Sequence, residues 1–380
     1  MQYRQLGKTG IKVSALGFGV LRIPKKSPSD KTFDIERGVE MVRQANDGGV
    51  NFIDTAYNYM NGKSELIVGK ALKEGYRNKV TLMTKCPIWA VNSAEEFHQR
   101  LDEQLERLDV DFVDIYLFHN ISKGRFEEKI VKLKLIDEMK KAKKMRKIKH
   151  IGFSSHDKPK NIKKYIDTGV FEVVLVQYNL LDRDNQKIIH YANENGLGIA
   201  IMGPVGGGRL AMEPVKEMEK WLTKGRKDFA DLALKFVLSN PNISVVLSGM
   251  SSEKNIEENI ALASRKNFNL TDDELKRIDL VSKKFQEIYD IDCTQCGYCM
   301  PCPNDVNIKA ILKQLMVSRD PLKLHLARAK YRGIGLTKSQ PGQKSPACTE
   351  CEECLEKCPQ EIPIIERIKE AHAILSEQKS

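Results

Sequence analysis

Short apolar runs rich in Val, Ile and Phe recur along the first two-thirds of the chain, and longer amphipathic stretches separate them. After a hairpin-like start (YRQLGKTGIKV), this pattern predicts strands near 16–19, 50–54, 79–84, 112–118, 148–153, 173–177, 197–202 and 243–247. Helical spacing fills the intervals, at roughly 34–47, 63–73, 93–108, 127–145, 158–168, 184–195, 228–239 and 253–265. Eight strand–helix units within 285 residues predict an α/β fold closed into a (β/α)8 TIM barrel. The competing arrangement is an open doubly wound sheet. Its usual GxGxxG turn does not follow the first strand here, which counts against it.

Composition changes the picture at the cysteines. Eight of the nine lie between Cys293 and Cys358, and only Cys86 lies outside. They predict a second unit at 286–380, after a barrel at 1–285. Charge is uneven in the same way: residues 286–380 hold 13 Lys+Arg and 13 Asp+Glu, so the whole formal excess of +11 belongs to residues 1–285. A basic chain invites a nucleic-acid partner, but no aromatic interleaving, zinc-finger or RNP pattern accompanies the basic residues. The densest run, KLKLIDEMKKAKKMRKIKH (132–150), keeps Leu133, Ile136, Met139 and Ala142 near helical spacing and reads as the solvated face of a helix. No apolar run of about 18 residues occurs, and MQYRQLGKTG lacks a signal-peptide core. A cytoplasmic protein without membrane contact is expected, and disulfides are disfavoured.

In a parallel barrel the chemistry sits at the carboxyl ends of the strands. There the chain carries Asp54 and, shortly after, Tyr59 (NFIDTAYNY), then Lys85 (LMTK), His119 (IYLFH), Ser154 and Ser155 (IGFSSH) and Gln177 (LVQYN). Singly, each has a plain structural role: a helix cap, a surface cation, a hydrogen-bonded histidine. Asp, Tyr, Lys and His at successive strand ends together make a proton-transfer site. A free tyrosine has a pKa of roughly 10. An ammonium beside it favours the phenolate, and a carboxylate holds the ammonium in place. Tyr59 then serves as general acid or base, and His119 hydrogen-bonds the carbonyl oxygen where charge develops.

These residues resemble the aldo-keto reductases, whose D-T-A-x-x-Y pattern matches Asp54, Thr55, Ala56 and Tyr59 and whose following helix matches GKSELIVG (62–69). The resemblance implies a catalytic tetrad of Asp54, Tyr59, Lys85 and His119, and hydride supplied by a nicotinamide. It implies that Ser154, Ser155 and Gln177 bind the carboxamide. The family's ring-stacking tyrosine falls at Met202, followed by Gly203, Pro204 and Val205. Glu258 and Asn259 match the adenine side. The cations that grip a 2′-phosphate fall at Gly249 and Asn255, so NADP and NAD both stay open, with Lys254 a nearby charge. GGGR (206–209) offers backbone amides to a pyrophosphate, or is simply a flexible loop. Cys86, next to Lys85, is expected to pack, with a reactive thiol as the alternative.

The cysteines are spaced Cys293-x2-Cys296-x2-Cys299-x2-Cys302-Pro303 and Cys348-x2-Cys351-x2-Cys354-x3-Cys358-Pro359. The second run fits the bacterial [4Fe-4S] pattern, and the first is one residue short. Because the fourth cysteine of each run serves the other cluster in two-cluster ferredoxins, Cys293, Cys296, Cys299 and Cys358 are assigned to one cluster. Cys348, Cys351, Cys354 and Cys302 form the other set. Structural zinc is the alternative. Helical spacing in VNIKAILKQLMVSRD (306–320) and at 361–377 resembles a mainly helical ferredoxin-like domain. The combination implies an oxidoreductase that interconverts a small carbonyl compound and its alcohol, coupled to two [4Fe-4S] clusters. Clusters pass single electrons and a hydride carries two, so a flavin intermediary and an external ferredoxin partner both enter the reading. A non-catalytic redox sensor and clusters as structural staples are the competing roles.

Overall fold

The computed structural model describes residues 1–27, 32–337 and 339–377. By contacts the chain divides into two compact units: Met1–Pro24, Phe33–Pro204 and Asp231–Thr271 form one, and Lys25–Thr32, Val205–Ala230 and Asp272–Ser380 form the other. The segment after the seventh barrel strand therefore belongs with the cysteine-bearing part, although a reading along the sequence groups it with the barrel.

In the first unit, strands β3 (Leu16–Gly19), β4 (Phe52–Asp54), β5 (Thr81–Cys86), β6 (Val113–Ile121), β7 (Ile148–Ser155), β8 (Val173–Gln177), β9 (Gly198–Met202) and β10 (Val245–Ser248) close into a barrel in the order β10-β3-β4-β5-β6-β7-β8-β9. Neighbouring strands are parallel throughout. All eight expected strands are present. Phe52, Met83, Ile115, Leu117, Val173, Leu175, Ala200, Val245 and Leu247 form one buried cluster, and the alternate residues face the helices, so the strands are apolar on both sides. The antiparallel hairpin β1 (Tyr3–Gln5) and β2 (Lys12–Ser14) adds Leu6 and Val13 to that cluster. Leu6 packs where Gly198 begins β9, so the hairpin plugs the amino end and leaves the carboxyl end for chemistry. Gly152 lets β7 and β8 meet: a Cβ there would lie 2.3 Å from the Val173 carbonyl oxygen and 2.5 Å from Leu117 Cδ2.

The barrel is wrapped by α1 (Ile35–Asp47), α2 (Lys63–Ala71), α3 (Ala94–Leu108), the single turn α4 (Lys123–Arg125), α5 (Leu135–Lys144), α6 (Pro159–Ile166), α7 (Gln186–Glu194), α8 (Ala230–Leu238) and α9 (Glu253–Ala263). Side-chain caps start several of them: Asp34 accepts from Arg37 N, Ser93 from Glu96 N and Ser252 from Asn255 N. The expected helix at 127–145 is not continuous. A π-helical stretch at Phe126–Val131 follows α4, Lys134 takes a left-handed conformation, and α5 begins only at Leu135. Buried Ile130 and Leu135 lie on either side of this break. The lysines of this run are mostly exposed, as expected of a solvated face.

The second unit contains α10 (Asp272–Ile288), α11 (Ile308–Ser318), α12 (Leu324–Arg332), α13 (Glu353–Lys357) and α14 (Ile364–Ser376). Its core joins Ile308, Ile311, Leu312 and Leu315 of α11 to Tyr331 of α12 and Ile364, Ile368, Ala371 and Leu375 of α14, with Ile291, Val306 and Ile362 between them. Cys299, Cys302, Cys348, Cys354 and Cys358 pack against this core, which fixes them on an apolar wall.

Candidate active site and cysteine cavities

Asp54 ends β4, Lys85 lies one residue before the end of β5, and His119 sits near the end of β6. Tyr59 opens a short helical turn, Tyr59–Gly62, whose Met60 and Asn61 adopt left-handed φ angles of 53° and 56°. Such angles are uncommon for residues with a Cβ. The barrel brings the four together. Lys85 Nζ donates to Asp54 Oδ1 at 2.5 Å and to the Thr55 carbonyl at 2.7 Å. The same ammonium lies 4.7 Å from the centroid of the Tyr59 ring, and the Tyr59 and His119 rings meet edge-on at 5.9 Å.

Lys85 is 0% exposed and Asp54 4%. Burial lowers the Lys85 pKa, while Asp54 and then Glu65 oppose that shift; burial raises Asp54, and Lys85 opposes it. Direct N···O contact favours the ionised pair, because losing either partner strands a charge in the barrel wall. His119 is held well below the ordinary histidine value, first by burial and then by Lys85, His156 and Arg125. It is a neutral imidazole at pH 7 and presents one N–H donor.

Behind the ion pair lies a polar network that the sequence reading did not give a role. Buried Glu65 accepts from Thr84 Oγ1 (2.8 Å), Gln104 Nε2 (2.6 Å) and Arg107 (3.3 Å). Gln104 also donates to the Lys85 carbonyl at 3.1 Å and accepts from the Tyr116 hydroxyl at 2.7 Å. The signal was present: Gln104 sits among Phe97, Leu101, Leu105 and Leu108 on the buried face of α3, a polar residue at core spacing. Cys86 is 0% exposed, and burial pushes its thiol up to about 12, so it packs and does not react as a nucleophile.

The expected nucleotide contacts fall into two groups. Ser154 Oγ accepts from Asn120 N at 2.8 Å, Ser155 Oγ donates to the Ile121 carbonyl at 2.7 Å, and Gln177 Nε2 donates to Asp182 at 2.6 Å. They anchor the β6 and β8 rims, and they are of the right donor–acceptor type for an amide. His156 Nδ1, next to Ser155 in the chain, and Asn58 Oδ1, next to Tyr59, are shielded and bond to no protein group. Shielded polar atoms without partners at a rim suit a polar ligand, so the residues fit a bound nicotinamide. Met202 ends β9 half-buried, Gly203 has a φ of 65°, and Pro204 and Val205 fall on the division between the two units. On the adenine side, Asn259 Nδ2 donates to Ser248 Oγ at 3.1 Å and Glu258 is half-buried. Asn255 Oδ1 accepts from Ser251, and Glu253 is paired with Arg37 through two bonds of 2.8 Å. Gly249 lies against the Arg22 side chain. GGGR is neither a free loop nor open to a pyrophosphate at its centre. A Cβ at Gly207 would lie 2.2 Å from the Thr294 carbonyl oxygen, and Arg209 pairs with Asp292 at 2.6 Å.

The cysteines line two cavities. One is bounded by Cys293, Cys296, Cys299 and Cys358. The other is bounded by Cys302, Cys348, Cys351 and Cys354, and Cys299 lines both. Among the described residues, no three His, Cys, Asp or Glu side chains converge on a single metal ion. Burial and neighbouring sulfurs push the Cys299 thiol up to about 12, a cost that cationic iron removes. The donor set and the cavities therefore fit iron–sulfur clusters.

A parallel barrel with a buried ammonium, a phenol and a neutral imidazole at its carboxyl rim belongs to the proton-transferring oxidoreductases, here joined to an iron–sulfur region. Comparison narrows the class to one family. The chain belongs to the Aldo/keto reductase family, which residues 15–283 match, and residues 292–362 match a 4Fe-4S dicluster domain. It is 32% identical over 290 residues to the L-galactose dehydrogenase of Arabidopsis thaliana, covering 69% of this chain and 88% of that protein. It is 26% identical over 313 residues to the NADH-specific methylglyoxal reductase of Escherichia coli, covering 70% of this chain and 94% of the relative. Among solved structures, the holo form of aldo-keto reductase AKR11C1 from Bacillus halodurans superposes with a TM-score of 0.63 at 25% identity, over 74% of this chain and 96% of that one. The chain is thus an aldo-keto reductase-type oxidoreductase with a 4Fe-4S domain. Among the described residues, no helix is long and apolar enough to cross a membrane.

Proposed function

We propose that the chain reduces a small carbonyl compound to its alcohol, or runs the reverse oxidation, with Tyr59 as general acid and base. The observation that carries this reading is the buried Lys85 ammonium, held by Asp54 and set 4.7 Å from the Tyr59 ring. Tyr59 gives its hydroxyl proton to the carbonyl oxygen, and the ammonium stabilises the phenolate that remains. The neutral His119 donates a hydrogen bond to the same oxygen as charge develops on it. A bound nicotinamide supplies the hydride, two electrons with one proton's nucleus, to the carbonyl carbon. Ser154, Ser155 and Gln177 orient its carboxamide.

NADH is the preferred form in this reading. Gly249 and Asn255 themselves carry no cation for a 2′-phosphate, although the Arg22 side chain lies against Gly249, and Glu253 on the same helix start is paired with Arg37. The NADH specificity of the Escherichia coli relative agrees with that. The clusters are proposed to be ligated by Cys293, Cys296, Cys299 and Cys358, and by Cys302, Cys348, Cys351 and Cys354. Bound clusters would pass single electrons, so any exchange with the two-electron nicotinamide would call for a flavin-type intermediary, with a ferredoxin-type carrier as the outside partner. A reducing, cytoplasmic setting suits nine cysteines without a disulfide. The test is anaerobic: NADH is mixed with the protein, with and without short aldehydes, while cluster absorbance and product are followed and flavin is sought in the extract. Aldehyde-dependent NADH oxidation with reversible cluster bleaching is expected. No turnover with any aldehyde or alcohol and either nucleotide would refute the reading.

A further inference from the structure

Beyond Tyr59 and His119, one cation at the barrel rim is built into the substrate side of the site. β6 carries an irregularity between Phe118 and Ile121, and Asn120, directly after His119, has a φ of 55°. This bend turns the Asn120 carbonyl to accept from Arg125 Nη1 at 2.9 Å. Arg125 closes α4, immediately before the π-helical Phe126–Val131, an irregularity frequent at functional sites. Its guanidinium lies 6.0 Å from the Trp89 ring centroid, and the same indole lies 5.1 Å from the His119 ring. Trp89 is 38% exposed, so imidazole and guanidinium flank one accessible apolar surface.

We infer that the substrate carries a carboxylate, read by Arg125 across the Trp89 face, while its carbonyl meets His119 and Tyr59. This deepens the proposed carbonyl–alcohol reading and rests on it. A guanidinium has five donors in a planar fork, so it can serve the Asn120 carbonyl and a carboxylate together. At 6.0 Å the guanidinium is at the outer edge of cation–π range of the indole. Arg125 also acts electrostatically on His119, lowering its pKa, which agrees with a guanidinium close to the reacting end. The substrate class is therefore an oxo acid or aldehyde acid, with the hydroxy acid as the alcohol partner.

The test compares 4-oxobutanoate with butanal, and glyoxylate with acetaldehyde, in the anaerobic holoprotein with NADH. Wild type should favour the acid of each pair in kcat/KM. Arg125→Met should lower the acid-to-neutral ratio by about ten- to a hundredfold, the worth of one charge-assisted contact, mainly through KM. Arg125→Lys should restore part of it. In a Trp221→Phe background, succinate should quench Trp89 fluorescence, with a dissociation constant raised about tenfold or more by Arg125→Met. An unchanged ratio and unchanged succinate binding would overturn the inference. If wild type reduces none of the four compounds, the carbonyl-reductase reading fails instead, and the succinate titration still decides whether Arg125 binds a carboxylate.

Discussion

Replacing Lys85 by Met tests whether the buried ion pair holds the rim together as the geometry implies. The side chain keeps its length, but Asp54 loses its 2.5 Å partner and the Thr55 carbonyl its 2.7 Å donor. Removing one member of a buried pair costs about 3–5 kcal/mol. At 1.4 kcal/mol per decade, amides of β5 and β6 should exchange about two to four orders of magnitude faster. Hydrogen exchange followed by mass spectrometry measures this in the intact holoprotein, without assuming that both units unfold together. The loss should depend on pH. Burial already raises Asp54, and without Lys85 nothing opposes it. A raised folded pKa means that the native state binds more protons than the unfolded chain. The variant is therefore most stable below the ordinary aspartate value of about 3.9, and loses about 1.4 kcal/mol per pH unit above it until the raised pKa is passed. Adding Asp54→Asn should recover most of the stability and none of the activity. Wild-type exchange rates in Lys85→Met, or no recovery in the double variant, would refute the reasoning.

Three further outcomes follow from the same coordinates. Gly249→Lys with Asn255→Arg should move the NADPH-to-NADH ratio of kcat/KM upward by about tenfold or more, since a charge-assisted phosphate contact replaces none; the Arg22 side chain beside Gly249 is the part that must yield. Cys302→Ser should disturb the cluster bounded by Cys348, Cys351 and Cys354, and Cys358→Ser the one bounded by Cys293, Cys296 and Cys299. Iron content and paramagnetic resonance of the two variants should differ accordingly, and identical spectra would contradict the exchange. Cys86, with its thiol pushed up to about 12, should escape alkylation at pH 8 in the folded protein and react once it is denatured.

The eight strands were legible because each is a short, mainly apolar run bounded by polar turns. The clustering of Asp54, Lys85 and His119 at one rim was legible because a barrel gathers its strand ends, so each could be read from where its run stops. Less local features were not. The π-helical stretch and the left-handed Lys134 interrupt a segment whose spacing a helical template reads as continuous. The Gly207 approach to Thr294 joins residues 87 positions apart, so the run reads along the chain as a flexible loop. Glu65 could be seen in its motif, but its partners Thr84, Gln104 and Arg107 come from two other elements. Arg125 drew no reading from the sequence, because its meaning lies in Trp89 and the Asn120 carbonyl, both brought to it by the fold.

Tyr59→Phe removes a single hydroxyl and leaves the ring, the ion pair and the nucleotide contacts in place. In a single turnover with bound NADH deuterated at the transferred position, the rate of deuteride arrival on an aldehyde reports the step that needs the Tyr59 proton. The account predicts that this rate falls by about 10²- to 10⁴-fold, the usual worth of a general acid, with NADH affinity changed less than about twofold. Deuteride transfer at the wild-type rate in Tyr59→Phe would contradict it.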